Sequence, residues 1–247
     1  MKRYSIFGVG FDALSESAAR ERIKELVKKE RTSMIFTPNA QILERVRTSK
    51  ELVGIFNSAD LLLADGCGIS LAMRLSKGLR VRRVTGIDTG FWLMQYAAQN
   101  GLRVFFLGAR PGVAERAASR LQKEIPALCI CGVHHGYFEP CENERITSLI
   151  SKARADIVFV CLGSPAQEKW ISENAKSLPN VRILMGLGGS LDVWSGDVSR
   201  APKVMQRMGL EWLYRCMCQP KRLRELVLLP RFLLHTLVNR SNFFKTP

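Results

Sequence analysis

Short apolar runs rich in β-branched and aromatic residues alternate with helix-period segments along most of this 247-residue chain, and that alternation narrows the folds open to it. The runs cover 5–9, 33–36, 60–63, 82–85, 103–107, 128–132, 156–161 and 182–185. Most lead into Gly, Pro, Asn or Asp and then into helical spacing, as at 114–123 and 167–175. Repeated βαβ units build a mainly parallel sheet with helices on both faces, because neighbouring parallel strands need a crossover. The expected fold class is therefore α/β, a Rossmann-like sheet. At 47% apolar residues the chain also has ample material for a buried core, which excludes disordered and collagen-like classes.

Sheets of this kind bind ligands beyond the carboxyl ends of their strands. The loops that fall there include Thr37-Pro38-Asn39-Ala40, Ala64-Asp65-Gly66-Cys67-Gly68, Thr85-Gly86-Ile87-Asp88 and Gly108-Ala109-Arg110-Pro111-Gly112. Two more are Gly163-Ser164-Pro165-Ala166-Gln167 and Gly186-Leu187-Gly188-Gly189-Ser190. Glycine at a strand-to-helix turn lets backbone N–H groups approach a phosphate, although a single such turn is as readily explained by sterics alone. Six along one edge point to a nucleotide or nucleotide-sugar cleft.

The net charge is +15, from 37 Lys and Arg against 22 Asp and Glu, which calls for an anionic partner: nucleic acid, a membrane surface or a phosphorylated substrate. Its distribution narrows the choice. From Arg200 onward ten basic residues face only Glu211 and Glu225, so about half of the excess lies in about a fifth of the chain. At helical spacing Leu223, Leu226, Val227, Leu233, Leu234, Leu237 and Val238 share a broad apolar face, and Arg224, Arg231 and His235 a narrow polar stripe. Pro230 is expected to break this segment into two short helices. The run 226–238 is too short to cross a bilayer and carries charge, so it reads as an interfacial helix at a membrane surface. The competing reading is a helix packed on the domain or buried between subunits, which leaves a homo-oligomer open. Trp92, Trp170, Trp194 and Trp212 are not interleaved with a basic strip, which makes nucleic acid the weakest of the three partners.

Seven scattered cysteines without a CxxC argue against both a disulfide framework and a zinc site, and fit a reduced cytosolic setting. The first residues lack the apolar core and cleavage site of an export signal, so a cytoplasmic location is expected. His134 and His135 are adjacent and His235 is distant, which is no metal-ligand spacing, and there is no Asp-x-Asp.

The loops taken together resemble the WecG/TagA/CpsF family of bacterial glycosyltransferases, family 26. The resemblance rests on the loops above and on Arg83-Val84-Thr85-Gly86-Ile87-Asp88, His135-Gly136-Tyr137-Phe138, Gln167-Glu168-Lys169-Trp170, Leu191-Asp192, Arg200-Ala201-Pro202 and Gly209-Leu210-Glu211-Trp212-Leu213-Tyr214-Arg215, in order over essentially the whole chain. The chain is most similar to the N-acetylmannosaminyltransferase branch. That resemblance implies an inverting, metal-independent hexosyltransferase without a cofactor. It would move N-acetylmannosamine from a UDP-sugar donor to an undecaprenyl-diphosphate-linked N-acetylglucosamine acceptor, in β-1,4 linkage, for wall teichoic acid at the inner face of the cell membrane. Donors such as N-acetylmannosaminuronate or glucose stay open. The implied organisation is a catalytic domain over 1–195 and a membrane-associating helical appendage over 196–247.

Residue roles follow from the same resemblance. Asp65, after a strongly apolar strand in a glycine-flexed loop, matches the family's base; the alternative is a helix N-cap. Thr37 and Asn39 would orient the acceptor or the donor's acetamido group, and Arg83 would offset charge on the leaving diphosphate, with the basic block Arg74, Lys77, Arg80 and Arg82 beside it. Asp88, Gly108, Gln167, Gly188, Gly189 and Asp192 are expected to bind the donor. Arg215 and Arg222, seven apart and so on one helix face, match family arginines that hold the lipid diphosphate. The next family arginine falls on Glu225, with Arg224 beside it.

Overall fold

Alternate residues of the central strands feed two separate cores, one on each side of a sheet, and this two-fold period is what holds the helices in two layers. The computed structural model describes residues 3–77, 83–218 and 227–238, without the side chains of Ser76, Lys77, Arg215 and Cys218. In chain order the elements are β1 (Arg3–Ile6), β2 (Val9–Asp12), α1 (Glu16–Val27), β3 (Ser33–Phe36), α2 (Ala40–Val46), α3 (Lys50–Asn57), β4 (Leu61–Leu62), α4 (Cys67–Lys77), α5 (Gly86–Gln99), β5 (Arg103–Gly108) and α6 (Val113–Glu124). They continue with β6 (Cys129–His134), α7 (Asn143–Lys152), β7 (Ile157–Cys161), α8 (Ala166–Asn174), β8 (Ile183–Gly186), α9 (Ser190–Ser195), α10 (Lys203–Arg207), α11 (Glu211–Cys218) and α12 (Leu228–Val238).

Six strands form one parallel sheet in the order β4-β3-β8-β7-β5-β6. Val104, Phe106, Ile157, Phe159, Ile183 and Met185 face the layer of α1, α5, α6 and α9, where Ile23, Leu93, Leu121 and Trp194 close the core. Phe105, Leu107, Val158, Val160 and Leu184 face the opposite layer, with Leu43, Phe56, Ile69, Ile150, Ile171 and Phe232. The expected α/β architecture is thus present.

Two of the expected strands are not. The run 5–9 is a hairpin instead of one strand: Ile6 pairs with Val9, and Phe7 and Gly8 turn the chain with φ of 51° and 81°. Positive φ at both central positions is the hairpin turn that follows strand twist, and a Phe in the place usually held by Asn or Asp hid it. The described part of 82–85 is not a strand either; Val84 N–H bonds Ala64 O (3.2 Å) and the segment then runs into α5. Its apolar pattern is one buried residue, Val84, between Arg83 and Thr85, which both line the cavity described below.

The tail departs from its expected partition. Pro230 lies in the first turn of α12, and the helix runs through it to Val238 without a break. Leu229, Phe232 and Leu233 pack on the core, while Val227, Leu234, Leu237 and Val238 stay exposed; Leu223 and Leu226 lie outside the described residues. Arg231 and His235 turn toward the domain, not away from it. Both address Glu44 of α2, whose side chain is 3% exposed: His235 Nδ1 stands 2.9 Å from its Oε1, Arg231 Nε 3.4 Å and Arg47 Nε 3.1 Å. A carboxylate only accepts, so Nδ1 of His235 carries the proton. Phe232 is fully buried and meets Phe7 edge-on, with centroids 5.6 Å apart. Phe232→Ala is expected to cost about 3 kcal/mol, read as a lower midpoint in thermal melts. A midpoint equal to that of the wild-type protein would contradict the docking of α12. Among the described residues no helix is long and apolar enough to cross a membrane.

Candidate active site

The carboxyl ends of β4, β3, β8 and β7 open into a cavity of about 320 Å³, within the range of small-molecule sites. Thr37 and Asn39 enter it after β3, Asp65 to Gly68 after β4, Gly163, Ser164 and Gln167 after β7, and Leu187 to Ser190 after β8. The far wall comes from outside the sheet, from Gln41 and Arg45 on α2, from Arg83 and Thr85 to Ile87, and from Glu211, Trp212 and Leu229 of the tail.

Asp65 is held on two sides. Its Oδ2 accepts the Gly86 N–H at the start of α5 (3.1 Å), and its Oδ1 lies 3.8 Å from Nε of Arg83. The carboxylate therefore caps a helix, but that of α5, across the cavity from its own loop. Asn39 caps α2 through its Oδ1, which accepts from Ile42 N–H at 3.0 Å, so turn chemistry and a cavity position coincide in one residue. Gln167 Oε1 accepts from Gly188 N–H (2.7 Å) and ties α8 to the glycine loop after β8.

Arg83 is aimed by the tail. Its Nη2 donates to Glu211 (2.6 Å) and its Nη1 to Gln206 O (3.0 Å). Glu211 also accepts from Arg200 Nε (3.0 Å), and Arg200 grips Asp88 through two bonds of 2.6 and 2.8 Å. Charges of alternating sign thus run from Arg83 through Glu211 and Arg200 to Asp88. Burial pushes the Asp88 carboxyl up, but bonds from Arg200 and Thr85 and the guanidinium charges outweigh it and hold it below the usual range. Burial likewise pushes Glu211 up, and Arg83 and Arg200 together bring it below.

A carboxylate that binds its proton less tightly folded than unfolded adds stability at pH values above the ordinary carboxylate range, and that stability is lost as pH falls through the depressed folded value. Below about pH 4 the junction between tail and sheet is therefore expected to loosen. In thermal melts, the wild-type protein should lose more stability between pH 5 and 3 than Arg200→Met. Parallel curves would contradict this.

Of the residues expected at the site, Asp65, Thr37, Asn39, Arg83, Gln167, Gly188 and Gly189 converge on the cavity. Asp88 stands outside its lining with its carboxylate engaged by Arg200. Gly108 is outside too, and its glycine has a packing reason: at φ 138° a Cβ would lie 2.3 Å from Cys161 O on β7. Asp192, in the first turn of α9, backs the loop with Oδ2 about 3.4 Å from where a Gly189 Cβ would sit. Arg80, Arg82, Arg222 and Arg224, and the side chain of Arg215, lie outside the described residues. Sequence reasoning missed Gln41 and Arg45, one turn apart on the cavity face of α2, and Leu229. For the α2 pair the i, i+4 spacing behind Asn39 was the available signal; for Leu229 there was none.

The chain is 32% identical over 233 residues to the N-acetylglucosaminyldiphosphoundecaprenol N-acetyl-beta-D-mannosaminyltransferase of Staphylococcus aureus strain MRSA252, covering 94% of this chain and 91% of that protein. The protein of the same description from strain NCTC 8325 / PS 47 matches with the same identity and coverage. The family model described as the glycosyl transferase WecG/TagA/CpsF family matches residues 4–245, so nearly every residue that shapes the sheet, the cavity and the tail falls within it, and the chain belongs to the WecG/TagA/CpsF glycosyltransferase family.

Proposed function

We propose that this chain transfers N-acetylmannosamine from UDP-N-acetylmannosamine to N-acetylglucosamine carried on undecaprenyl diphosphate, making the β-1,4 disaccharide of the wall teichoic acid linkage unit. The observation that carries the reading is the pairing of Asp65 with Arg83, 3.8 Å apart at the sheet's carboxyl edge and facing a glycine loop, in a family of glycosyltransferases. In this reading Asp65 takes the proton of the acceptor hydroxyl while that oxygen forms its bond to C1 of the donor. The C1–O bond to the diphosphate breaks with inversion, and UDP leaves with an added negative charge beside Arg83. Thr37 and Asn39 orient the sugars. Gln167, Gly188 and Gly189 hold the donor with Asp192 behind them, Asp88 and Gly108 act as supports of that site, and Arg215, Arg222 and Arg224 hold the lipid diphosphate. No metal is required.

The acceptor's lipid calls for a membrane surface. Support comes from exposed apolar residues: of eleven large ones among the described residues, nine lie on or beside α4 and α10 to α12, including Leu71, Leu75, Met208, Met217, Leu234 and Val238. Basic residues accompany them in the tail, as an anionic leaflet would favour. We assign residues 196–247 to peripheral attachment at the cytoplasmic face and 1–195 to catalysis. A panel of UDP-sugars with one short-lipid N-acetylglucosamine diphosphate, in chelator, tests the function. Release of UDP is expected with UDP-N-acetylmannosamine above all others. A different preferred donor would reassign the substrate, and release with none would overturn the proposal.

A further inference from the structure

Directly after Gln167, Glu168 is buried to 1% exposure and does not line the cavity. A carboxyl removed from water is costly unless something uses it, and here Gln167 does: its Nε2 donates to Glu168 Oε1 at 2.9 Å. The orientation of the Gln167 amide is not arbitrary. Gly188 N–H can only donate, so the atom 2.7 Å from it must be the amide oxygen, which turns the amide nitrogen to Glu168. A flipped amide would set N–H against N–H at one end and oxygen against oxygen at the other. The strand end fixes the amide from below, because a Cβ on Gly186 would stand 2.9 Å from Gln167 Nε2 and 3.2 Å from its Cδ. Burial pushes the Glu168 carboxyl up, against the pull of the bond from Gln167. A neutral carboxyl still accepts through its carbonyl oxygen, so the bond survives in either protonation state.

We propose that Glu168 is a positioning residue: it locks the Gln167 carboxamide so that its second N–H is presented to the UDP-sugar. The amide oxygen is engaged by Gly188 and one amide hydrogen by Glu168, which leaves the second hydrogen for the cavity that Gln167 lines. The partner is then a hydrogen-bond acceptor of the donor, a carbonyl or phosphate oxygen. This rests on the proposed function in one respect, that the UDP-sugar occupies the loop after β8.

The competing role for Glu168 is simply an acid in the first turn of α8, where it would complement the helix dipole. A double-mutant cycle separates the two. Glu168→Met, which removes the acceptor at similar volume, is expected to weaken UDP-sugar binding about 10-fold, by calorimetry without acceptor and as KM in turnover, with kcat within about threefold. In a Gln167→Ala background the same substitution should change binding less than about twofold. Equal losses in both backgrounds, or no loss in the first, would overturn the proposal. Should Glu168→Met melt below the assay temperature, Gly186→Ala crowds the same amide and should show the same loss of affinity; unchanged affinity there would also overturn it. Failure of the proposed function reads differently: the wild-type protein would then bind no UDP-sugar, and the assignment of Gln167 to that ligand would fall with it.

Discussion

Asp65→Asn lowers kcat by about 10³-fold and leaves UDP-sugar affinity within about twofold, the expected result of removing a general base while keeping its shape. The substitution suits the site because the asparagine oxygen can still accept from Gly86 N–H, so the start of α5 and the glycine-flexed loop keep their positions. What is lost is the oxygen able to take a proton from the attacking hydroxyl. Single-turnover assays with saturating donor, beside calorimetric titration of UDP-sugar, separate the two quantities. Wild-type turnover in this variant would exclude Asp65 as the base, and a parallel loss of donor affinity would recast it as a binding group.

Arg83→Ala carries the second large effect, a fall in kcat of about 10²- to 10³-fold, in the range for removing one group that meets developing negative charge. The same change strands Glu211 with Arg200 as its remaining guanidinium partner, so a lower melting temperature is expected as well. Arg83→Lys distinguishes charge from geometry. It keeps a cation near Asp65, but a single ammonium cannot reproduce a guanidinium that reaches Glu211 and Gln206 O while leaving Nε toward Asp65. An intermediate kcat is expected from it, measured under the same saturating conditions. A lysine variant as slow as the alanine variant would mean that orientation by Glu211, and not charge, is what the reaction uses.

The sheet was legible because its strands are short, β-branched and followed by turn residues, and six of the eight expected runs match strands of the parallel sheet to within two residues. The site was legible where function depends on local chain order, as in the loops bearing Thr37, Asp65, Gln167 and Gly188. It was not legible where it depends on residues brought together from far apart. Nothing in the pattern links Arg83 to Glu211, 128 positions away, or Glu44 to His235, 191 positions away. Periodicity also misjudged the tail: it grouped Leu233 with Leu234 and Leu237 on one face, whereas packing divides them between core and surface, and nothing in the polar stripe of Arg231 and His235 pointed to the buried carboxylate that they face. Glu168 sits inside a motif that sequence reading did quote, but its burial and its bond to Gln167 required the fold.

The most direct test of the account is the product itself. Incubation of the protein with UDP-N-acetylmannosamine and a short-lipid N-acetylglucosamine diphosphate in chelator should yield UDP and one new lipid-linked disaccharide, shown by mass spectrometry and by NMR to be β-linked at the 4-position. No disaccharide, or one whose anomeric configuration matches that of the donor, would contradict it.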